Sequence, residues 1–509
     1  MLFDHPYQVK KWTKSIGGRS LKQVFNEAQA AYVQQRGLTL DERLGQIRAV
    51  KKAILARRES IVERVMAEVG KSRTDALIAE IIGAVDWLEW LERRARKVLA
   101  DEKVPTPITL LGKKSRLYHE PFGVVLIICP WNYPFHNAIT GIAAAYVAGN
   151  AVIYKPSEHA PCQGLVEDII AAAPLLHAAV KVVYGDGKTG SELIEQRPGK
   201  IFFTGSCATG EKIMQQAARH LIPVELELGG KDPMIVFADA GLKRPVAGAL
   251  WGAFTNAGQS CSAVERLLVE DSVHDAFVAK LVEEAGKLKV AEGDSKGDVD
   301  IGRMTVGFQR DKVVEHVKDA LAKGAKLVFG QIPATFDLLV KPIILTNVTP
   351  DMLVWRDETF GPVLPVMRFG DEGEAVKLAN DSDYGLCASV FTADKSRADR
   401  VTRALEVGGV SVNNVNMSEG NPGLPFGGYK RSGFGKLRGP EGLLGFTRSK
   451  SVLIDVTGDK IEANWYPYTS GKYERFQRFI HALYTSHWAR LVRIAWTGLR
   501  LEAFSQKPR

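Results

Sequence analysis

Gly123-Val-Val-Leu-Ile-Ile-Cys-Pro-Trp-Asn-Tyr-Pro134 is the stretch on which the fold turns. Five apolar residues in succession, Val124–Ile128, suit a strand buried on both faces. Residues 129–134 break into a turn, 139–148 follow as an Ala-rich helix, and Gly149-Asn150 closes it. The next strand, 151–154, runs into Lys155-Pro-Ser-Glu158. Strand, turn, helix, strand is the pattern of a parallel sheet with crossover helices, and such sheets bind ligands beyond the carboxyl ends of their strands.

Working downstream, 181–184 and 201–203 read as further strands of this sheet, and after Gly230 a second strand–helix series begins. Its expected strands are 234–237, 267–269, 342–345, 388–391 and 409–414, with 449–456 last. Its expected helices are 245–256, 274–288, 312–325 and 371–380. Upstream, residues 20–100 repeat apolar positions at helical steps. Gly70 reads as a stop, Thr74 as the next cap, and the Trp87/Trp90 pair as packing. Residues 114–120 read as extended.

The composition is that of an ordinary soluble chain: 509 residues, 45% hydrophobic and 25% charged, enough for two to four domains. Five scattered cysteines (Cys129, Cys162, Cys207, Cys261, Cys387) without a C-x-x-C pair argue against a disulfide framework or zinc site and for a reducing compartment. Ten histidines show no H-x-x-x-H spacing, so no metal is expected. The start lacks the apolar run of a signal peptide, and no run is long enough to span a bilayer. A net charge of +9 is a mild bias whose location matters more than its size.

Chemistry concentrates in Phe254-Thr-Asn-Ala-Gly-Gln-Ser-Cys-Ser-Ala-Val-Glu-Arg266, which sets Cys261 among small polar neighbours. Upstream, Val224-Glu-Leu-Glu-Leu-Gly-Gly-Lys231 alternates like a strand and puts Glu227 near its end. A thiol can bond to a carbonyl carbon, and a carboxylate can activate the water that releases the product. Two glycine loops invite comparison with phosphate loops. Gly187-Lys-Thr189 reads as an ordinary turn, because the first Gly of a Walker loop would fall on Val182. Thr204-Gly-Ser-Cys-Ala-Thr-Gly210 is the better candidate, following a strand and opening a helix expected at 211–219.

Seven pieces in order resemble the NAD(P)-dependent aldehyde dehydrogenase superfamily. They are Pro130-Trp-Asn-Tyr-Pro134, Lys155-Pro-Ser-Glu158, Phe203-Thr-Gly-Ser206, Glu227-Leu-Gly-Gly-Lys231, Asn256-Ala-Gly-Gln-Ser-Cys261, Glu358-Thr-Phe-Gly-Pro362 and Leu424-Pro-Phe-Gly-Gly428. The resemblance implies an α/β fold: a Rossmann-type cofactor domain (1–112 and 121–228, with 417–440 returning to it) and an α/β catalytic domain (229–416). It also implies a small β oligomerisation arm (113–120 and 441–458), leaving 459–509 as a tail. It makes Cys261 the nucleophile, Glu227 the base, and Asn132 with the Cys261 N–H the oxyanion donors. Trp131, Lys155, Glu158, Gly205, Ser206, Glu358 and Phe360 would bind the cofactor, NAD with NADP tolerated. Tyr133, Ser260, Ser262, Asn416, Met417 and Phe426 would line the aldehyde tunnel. The expected partners are a small aldehyde and a second or further copies of the chain, as homodimer or homotetramer, with no nucleic acid.

Trp465-Tyr-Pro-Tyr468 opens the tail and is similar to the C-terminal extension of class 3, fatty-aldehyde-type relatives. From Tyr473 a single helical wheel puts Phe476, Phe479, Ile480, Leu483, Tyr484, Leu491 and Ile494 on one side, with Arg475, Arg478, Arg493 and Arg500 on the other. The expectation is a cytoplasmic enzyme of medium or long apolar aldehydes, with residues 465–509 at a membrane surface or docked on protein. Three alternatives stay open: a CoA-acylating dehydrogenase, a cysteine hydrolase or acyltransferase, and a scaffold that kept only the fold.

Overall fold

The computed structural model describes residues 18–334, 336–484, 488 and 490–506. These form two units, one of residues up to Ala100 with His119–Arg448, the other of Asp101–Tyr118 with the chain from Ser449 onward.

The first unit opens with helices Leu21–Gln35 and Leu40–Ala56, each started by a reciprocal capping box, Ser20 with Gln23 and Thr39 with Glu42. Helix Arg58–Val69 stops as expected at Gly70, which takes φ 92°. The cap of the next helix is Ser72 and not Thr74. Ser72 Oγ accepts from Asp75 N at 3.2 Å, while Thr74 Oγ1 donates to Gly297 O at 3.3 Å. Either hydroxyl suits a cap, and only the backbone path picks the earlier one. A π-helical turn, Leu77–Ile82, then carries a charged residue, Glu80, to a fully buried position. Trp87 is fully buried, stacks on Trp90 at 4.9 Å and donates to Thr140 O, so the pair is core.

Two sheets form the body of this unit. Six strands run in the order Gly433–Phe434, Val224–Glu227, Lys200–Thr204, Val124–Ile128, Ala151–Lys155 and Val180–Val182, parallel except for the first. Val124–Ile128 is buried along its length, as its unbroken apolar run demands, each such side chain contributing about 1.5–3 kcal/mol. Seven strands make the second sheet, in the order Lys326–Phe329, Ile343–Thr346, Val363–Phe369, Val264–Glu270, Asp232–Val236, Cys387–Phe391 and Gly409–Val412. Only Lys326–Phe329 pairs antiparallel. Most boundaries differ from the sequence reading by a few residues at the polar ends. Gly187-Lys-Thr189 is not a plain turn: it is the first turn of helix Gly187–Ile194, with Asp186 Oδ1 accepting from Thr189 N. The helix placed at 211–219 starts earlier, as Cys207–Ala218.

In the second unit, Glu102–Val104, Lys113–Pro121 and Thr447–Asp455 pair into a three-stranded sheet. The single tail helix expected from Tyr473 is two, Ser470–Tyr484 and Arg490–Ser505, packed on each other. Ala482, Leu483 and Ile494 are buried between them with Phe479 alongside. Ile480, Tyr484 and Leu491, assigned by one continuous wheel to the same side as Leu483, are 53%, 78% and 72% exposed. A break between helices resets the phase of the wheel, so one periodicity cannot describe both. Among the described residues no helix is long and apolar enough to cross a membrane.

Candidate active site

Cys261 is placed by a strained turn. Helix Lys243–Phe254 runs into Thr255–Gly258, where Asn256 (φ 50°) and Ala257 (φ 54°) hold left-handed backbone that side chains resist. Asp75 holds the turn in that shape, one oxygen accepting from Thr255 Oγ1 (3.0 Å), the other from Asn256 N (2.9 Å). Gly258 is required, because a Cβ there would lie 2.3 Å from Gly361 O. Cys261 follows just before strand Val264–Glu270, and a Cβ at Gly230 would sit 2.3 Å from its carbonyl oxygen. Burial pushes the Cys261 thiol well above its usual range, and the carboxylates of Glu419, Asp232, Glu358 and Glu227 push the same way. Such a thiol needs a proton acceptor before it attacks.

Asn132 reaches the cysteine loop directly, donating from Nδ2 to Gln259 O at 3.0 Å. Its own carbonyl accepts from Lys71 Nζ at 2.8 Å and from Asn256 Nδ2 at 3.2 Å. Lys71 pairs at 2.8 Å with Glu80, both side chains fully buried, and lies 3.9 Å over the Tyr133 ring. The other Glu80 oxygen accepts from Phe135 N (3.1 Å) and His136 N (2.7 Å), capping helix Pro134–Val147 from a distance. Lys71, Asp75 and Glu80 thus fix the geometry around Asn132 and Asn256, and all three escaped the sequence reading. The available signal was a carboxylate, Glu80, inside the apolar run from Leu77 to Ile82.

Glu227, at the end of Val224–Glu227, is 3% exposed and neither carboxyl oxygen has a hydrogen-bond partner. Burial raises its pKa well above the carboxylate range, Glu225 adds to the rise, and Lys436 opposes it. Gly427 lies directly over it, where a Cβ would come within 2.8 Å of Oε1. Glu225 is instead tied to Lys200 at 3.0 Å.

The predicted cofactor residues gather at the carboxyl ends of the first sheet. Lys155 closes strand Ala151–Lys155, 3% exposed, with Nζ 3.5 Å from Glu158 Oε2. Ser206 caps the exposed start of helix Cys207–Ala218, its Oγ accepting from Thr209 N. Before it, Gly205 leaves no room for a side chain, since a Cβ would meet the Phe203 ring at 2.4 Å. Glu358 accepts from Gly230 N at 3.2 Å, and its pKa is raised to about 7 by burial and by Glu265. Phe360 (φ 51°) packs edge-on against Trp131, ring centres 5.4 Å apart. Buried Glu265, unremarked in the sequence, holds this loop by accepting from Thr359 N (2.6 Å) and Phe360 N (2.7 Å) while paired with Lys231 at 2.5 Å. A helix N-terminus, a close-approach glycine and an inward carboxyl fit a dinucleotide's pyrophosphate and ribose hydroxyls.

Of the predicted tunnel residues, Ser260 and Ser262 share a hydrogen bond, Oγ to Oγ at 3.3 Å, and the Tyr133 ring lies under Lys71 Nζ. Asn416 is buried with φ 54° at the start of the short helix Met417–Gly420. Phe426 packs on the helical core and exchanges backbone hydrogen bonds with Leu437. The Met417 side chain lies outside the described residues.

The aldehyde dehydrogenase family matches residues 7–452. The chain is 44% identical over 467 residues to 4,4'-diapolycopene aldehyde oxidase of Methylomonas sp, covering 91% of this chain and 87% of that protein. It is 35% identical to the chloroplastic betaine aldehyde dehydrogenase of Atriplex hortensis, over 81% and 83% of the two chains. Among solved structures, betaine aldehyde dehydrogenase of Staphylococcus aureus in complex with NAD+ superposes with a TM-score of 0.82 at 31% identity, covering 88% of this chain and 89% of that one. By sequence and by fold, this chain belongs to the aldehyde dehydrogenase family.

Proposed function

We propose that this protein oxidises medium or long apolar aldehydes to carboxylic acids with NAD, NADP being tolerated, through a thioester on Cys261. One observation carries the reading: a buried carboxyl without partners, Glu227, within electrostatic reach of a lone thiol that Asn132 also approaches through Gln259. The Cys261 sulfur attacks the aldehyde carbon, and the oxygen that becomes negative is held by the Asn132 amide and the Cys261 N–H. When bound, the nicotinamide supplies the acceptor for two electrons. Glu227 then takes a proton from the water that cleaves the thioester.

Trp131 and Phe360 are the apolar walls for the cofactor ring, Glu358 and Ser206 the ribose and pyrophosphate contacts, and Gly205 permits their close approach. Lys155 and Glu158 take the adenosine ribose, where the Glu158 carboxylate favours NAD over NADP by repelling a 2′-phosphate. Tyr133, Ser260, Ser262, Asn416, Met417 and Phe426 line the approach to sulfur. Similarity to an enzyme named for a diapolycopene aldehyde supports an apolar substrate. The tail supports it too: Tyr473, Leu491, Val492, Trp496 and Leu499 are each more than half exposed, on helices that also carry Arg475, Arg478, Arg493 and Arg500, a composition suited to an anionic bilayer surface. The three-stranded sheet, largely exposed along Thr447–Asp455, is the arm through which copies associate.

NADH formation on mixing enzyme, NAD and aldehydes graded by chain length, with and without coenzyme A, tests the reading. Turnover rising with apolar length and indifferent to coenzyme A is expected. Strict dependence on coenzyme A would establish the acylating alternative, and acyl release without nicotinamide the hydrolase. The hydrolase reading lacks its base in His136, whose Nε2 accepts from Arg438 at 2.7 Å and whose charged form burial suppresses.

A further inference from the structure

Glu265 breaks the alternation of its own strand. Where Val264–Glu270 pairs with Asp232–Val236, the register passes from Asp232 opposite Val264 to Pro233 opposite Arg266, so Glu265 is the extra residue of a β-bulge. A bulge interrupts the ladder and re-aims one side chain. Here that side chain is a carboxylate, 3% exposed, in the strand that follows the Cys261 turn.

It accepts from two successive peptide groups of the loop Glu358-Thr-Phe-Gly-Pro362. Oε2 takes Thr359 N at 2.6 Å and Oε1 takes Phe360 N at 2.7 Å. Successive N–H groups turned to one anion form a nest, which uses left-handed backbone, and Phe360 supplies it at φ 51°. A phenylalanine resists that conformation, so contacts from outside the loop must hold it. Gln309 Nε2 donates to Thr359 O at 2.7 Å, whereas the Phe360 N–H goes to Glu265.

The charge is balanced on the spot. Lys231 Nζ, fully buried, lies 2.5 Å from Glu265 Oε2 and 3.2 Å from Thr359 Oγ1. The Lys231 carbonyl accepts from Arg266 Nε at 2.8 Å, and His316 Nδ1 is 3.1 Å from the same Thr359 hydroxyl. Lys231 follows two glycines pressed between the reactive loops: a Cβ at Gly229 would strike the Glu358 carboxyl, and one at Gly230 the Cys261 carbonyl oxygen. One buried ion pair thus joins the stretch after Glu227, the stretch after Cys261 and the loop of Glu358 and Phe360.

We propose that Glu265 is a positioning residue for hydride transfer, holding Phe360 in left-handed backbone with Lys231 as its counter-charge. The proposal rests on the reading of Trp131 and Phe360 as walls for the cofactor ring. Glu265 acts through two N–H groups and takes no part in bond making. Without its charge Phe360 relaxes to ordinary backbone and its ring leaves the edge of Trp131, 5.4 Å away. The hydride acceptor then loses its place relative to the carbon bound to Cys261. The adenosine end, assigned to Lys155 and Glu158 on the other sheet, is untouched.

Rapid mixing of the full-length enzyme tests this with Glu265→Gln and with the neutral pair Glu265→Gln/Lys231→Met. The single variant strands a buried ammonium and should melt lower; the double removes both charges and should regain the loss. In both, the NADH burst should slow by about 100-fold, the cost of a displacement on the order of 1 Å at the reacting atoms. An aldehyde carrying deuterium on its carbonyl carbon should slow it further, because hydride transfer then limits the burst. Calorimetry should show weaker binding of NAD and unchanged binding of ADP, which lacks the nicotinamide and its ribose. Iodoacetamide should alkylate Cys261 at the wild-type rate. Glu265→Asp, which keeps the charge, should recover part of the burst. A wild-type burst in the folded double variant would overturn the proposal and leave the pair a purely structural one. Parallel losses of ADP binding and alkylation would overturn it too, since they report general damage and not a displaced ring. A wild-type enzyme that forms no NADH from any aldehyde would overturn the function proposed above, and the ratio of NAD to ADP affinity in the double variant would still decide the positioning role.

Discussion

Glu225 and Glu227 stand two residues apart on one strand, yet of the two only Glu225 is ion-paired: Lys200 Nζ lies 3.0 Å from it, whereas both oxygens of Glu227 are buried without a hydrogen bond. A buried carboxyl left without partners is costly, so it persists where it has work to do. The pair therefore separates into an ion pair and an unpartnered carboxyl, the one proposed as base.

Glu227→Gln is expected to give one burst of NADH and then stall at the acyl-enzyme, steady turnover falling by about 10²–10⁴-fold. Glu225→Gln should keep steady turnover and lose about 3–5 kcal/mol of stability, because it strands buried Lys200. Rapid-mixing kinetics beside thermal melts separate the two, and exchanged phenotypes would reverse the roles.

The Glu227 pKa lies well above the usual carboxylate range, so the base is protonated at mildly acidic pH and gains activity as pH rises. Deacylation-limited turnover should therefore fall on acidification earlier than an ordinary carboxylate would cause. Glu358, at about 7, should weaken NAD binding as pH drops through neutrality, a dependence absent from Glu358→Gln. Titration calorimetry with NAD at several pH values reads this apart from turnover.

Cys261→Ser should abolish oxidation, since a hydroxyl in this buried turn is a far weaker nucleophile than a thiolate. Intact-mass spectra of Glu227→Gln with aldehyde and NAD should show acyl mass on Cys261, and the double variant should show none.

Glu80→Ala strands the fully buried Lys71 and uncaps helix Pro134–Val147. A loss of about 3–5 kcal/mol is expected, visible in chemical denaturation. Because Lys71 also holds the Asn132 carbonyl, the surviving folded enzyme should show a lower kcat with little change in NAD affinity.

Leu491→Glu with Val492→Glu, both on the exposed side of the tail hairpin, should release the full-length protein from anionic liposomes without altering turnover of a short soluble aldehyde. Flotation unchanged by the pair would remove the membrane assignment.

The alternation of strand and helix, the Gly70 stop and the loops at strand ends were legible in the chain because local periodicity and turn chemistry specify them. Cys261 stands out by its small polar neighbours, whereas Asn132, and Glu227 in preference to Glu225, are picked by the resemblance of their motifs. The tertiary structure alone decided which of two identical carboxyl side chains, Glu225 or Glu227, lacks a counter-ion, since the cation belongs to a neighbouring strand. It alone joined Lys71 to Glu80 and Asp75 to Asn256, pairs whose members are far apart in sequence or unremarkable by type. It also folded the tail into two helices whose separate phases no single wheel could represent. Periodicity reports which face of an element is buried; the partner a buried charge meets depends on how distant elements pack, and no local pattern encodes that.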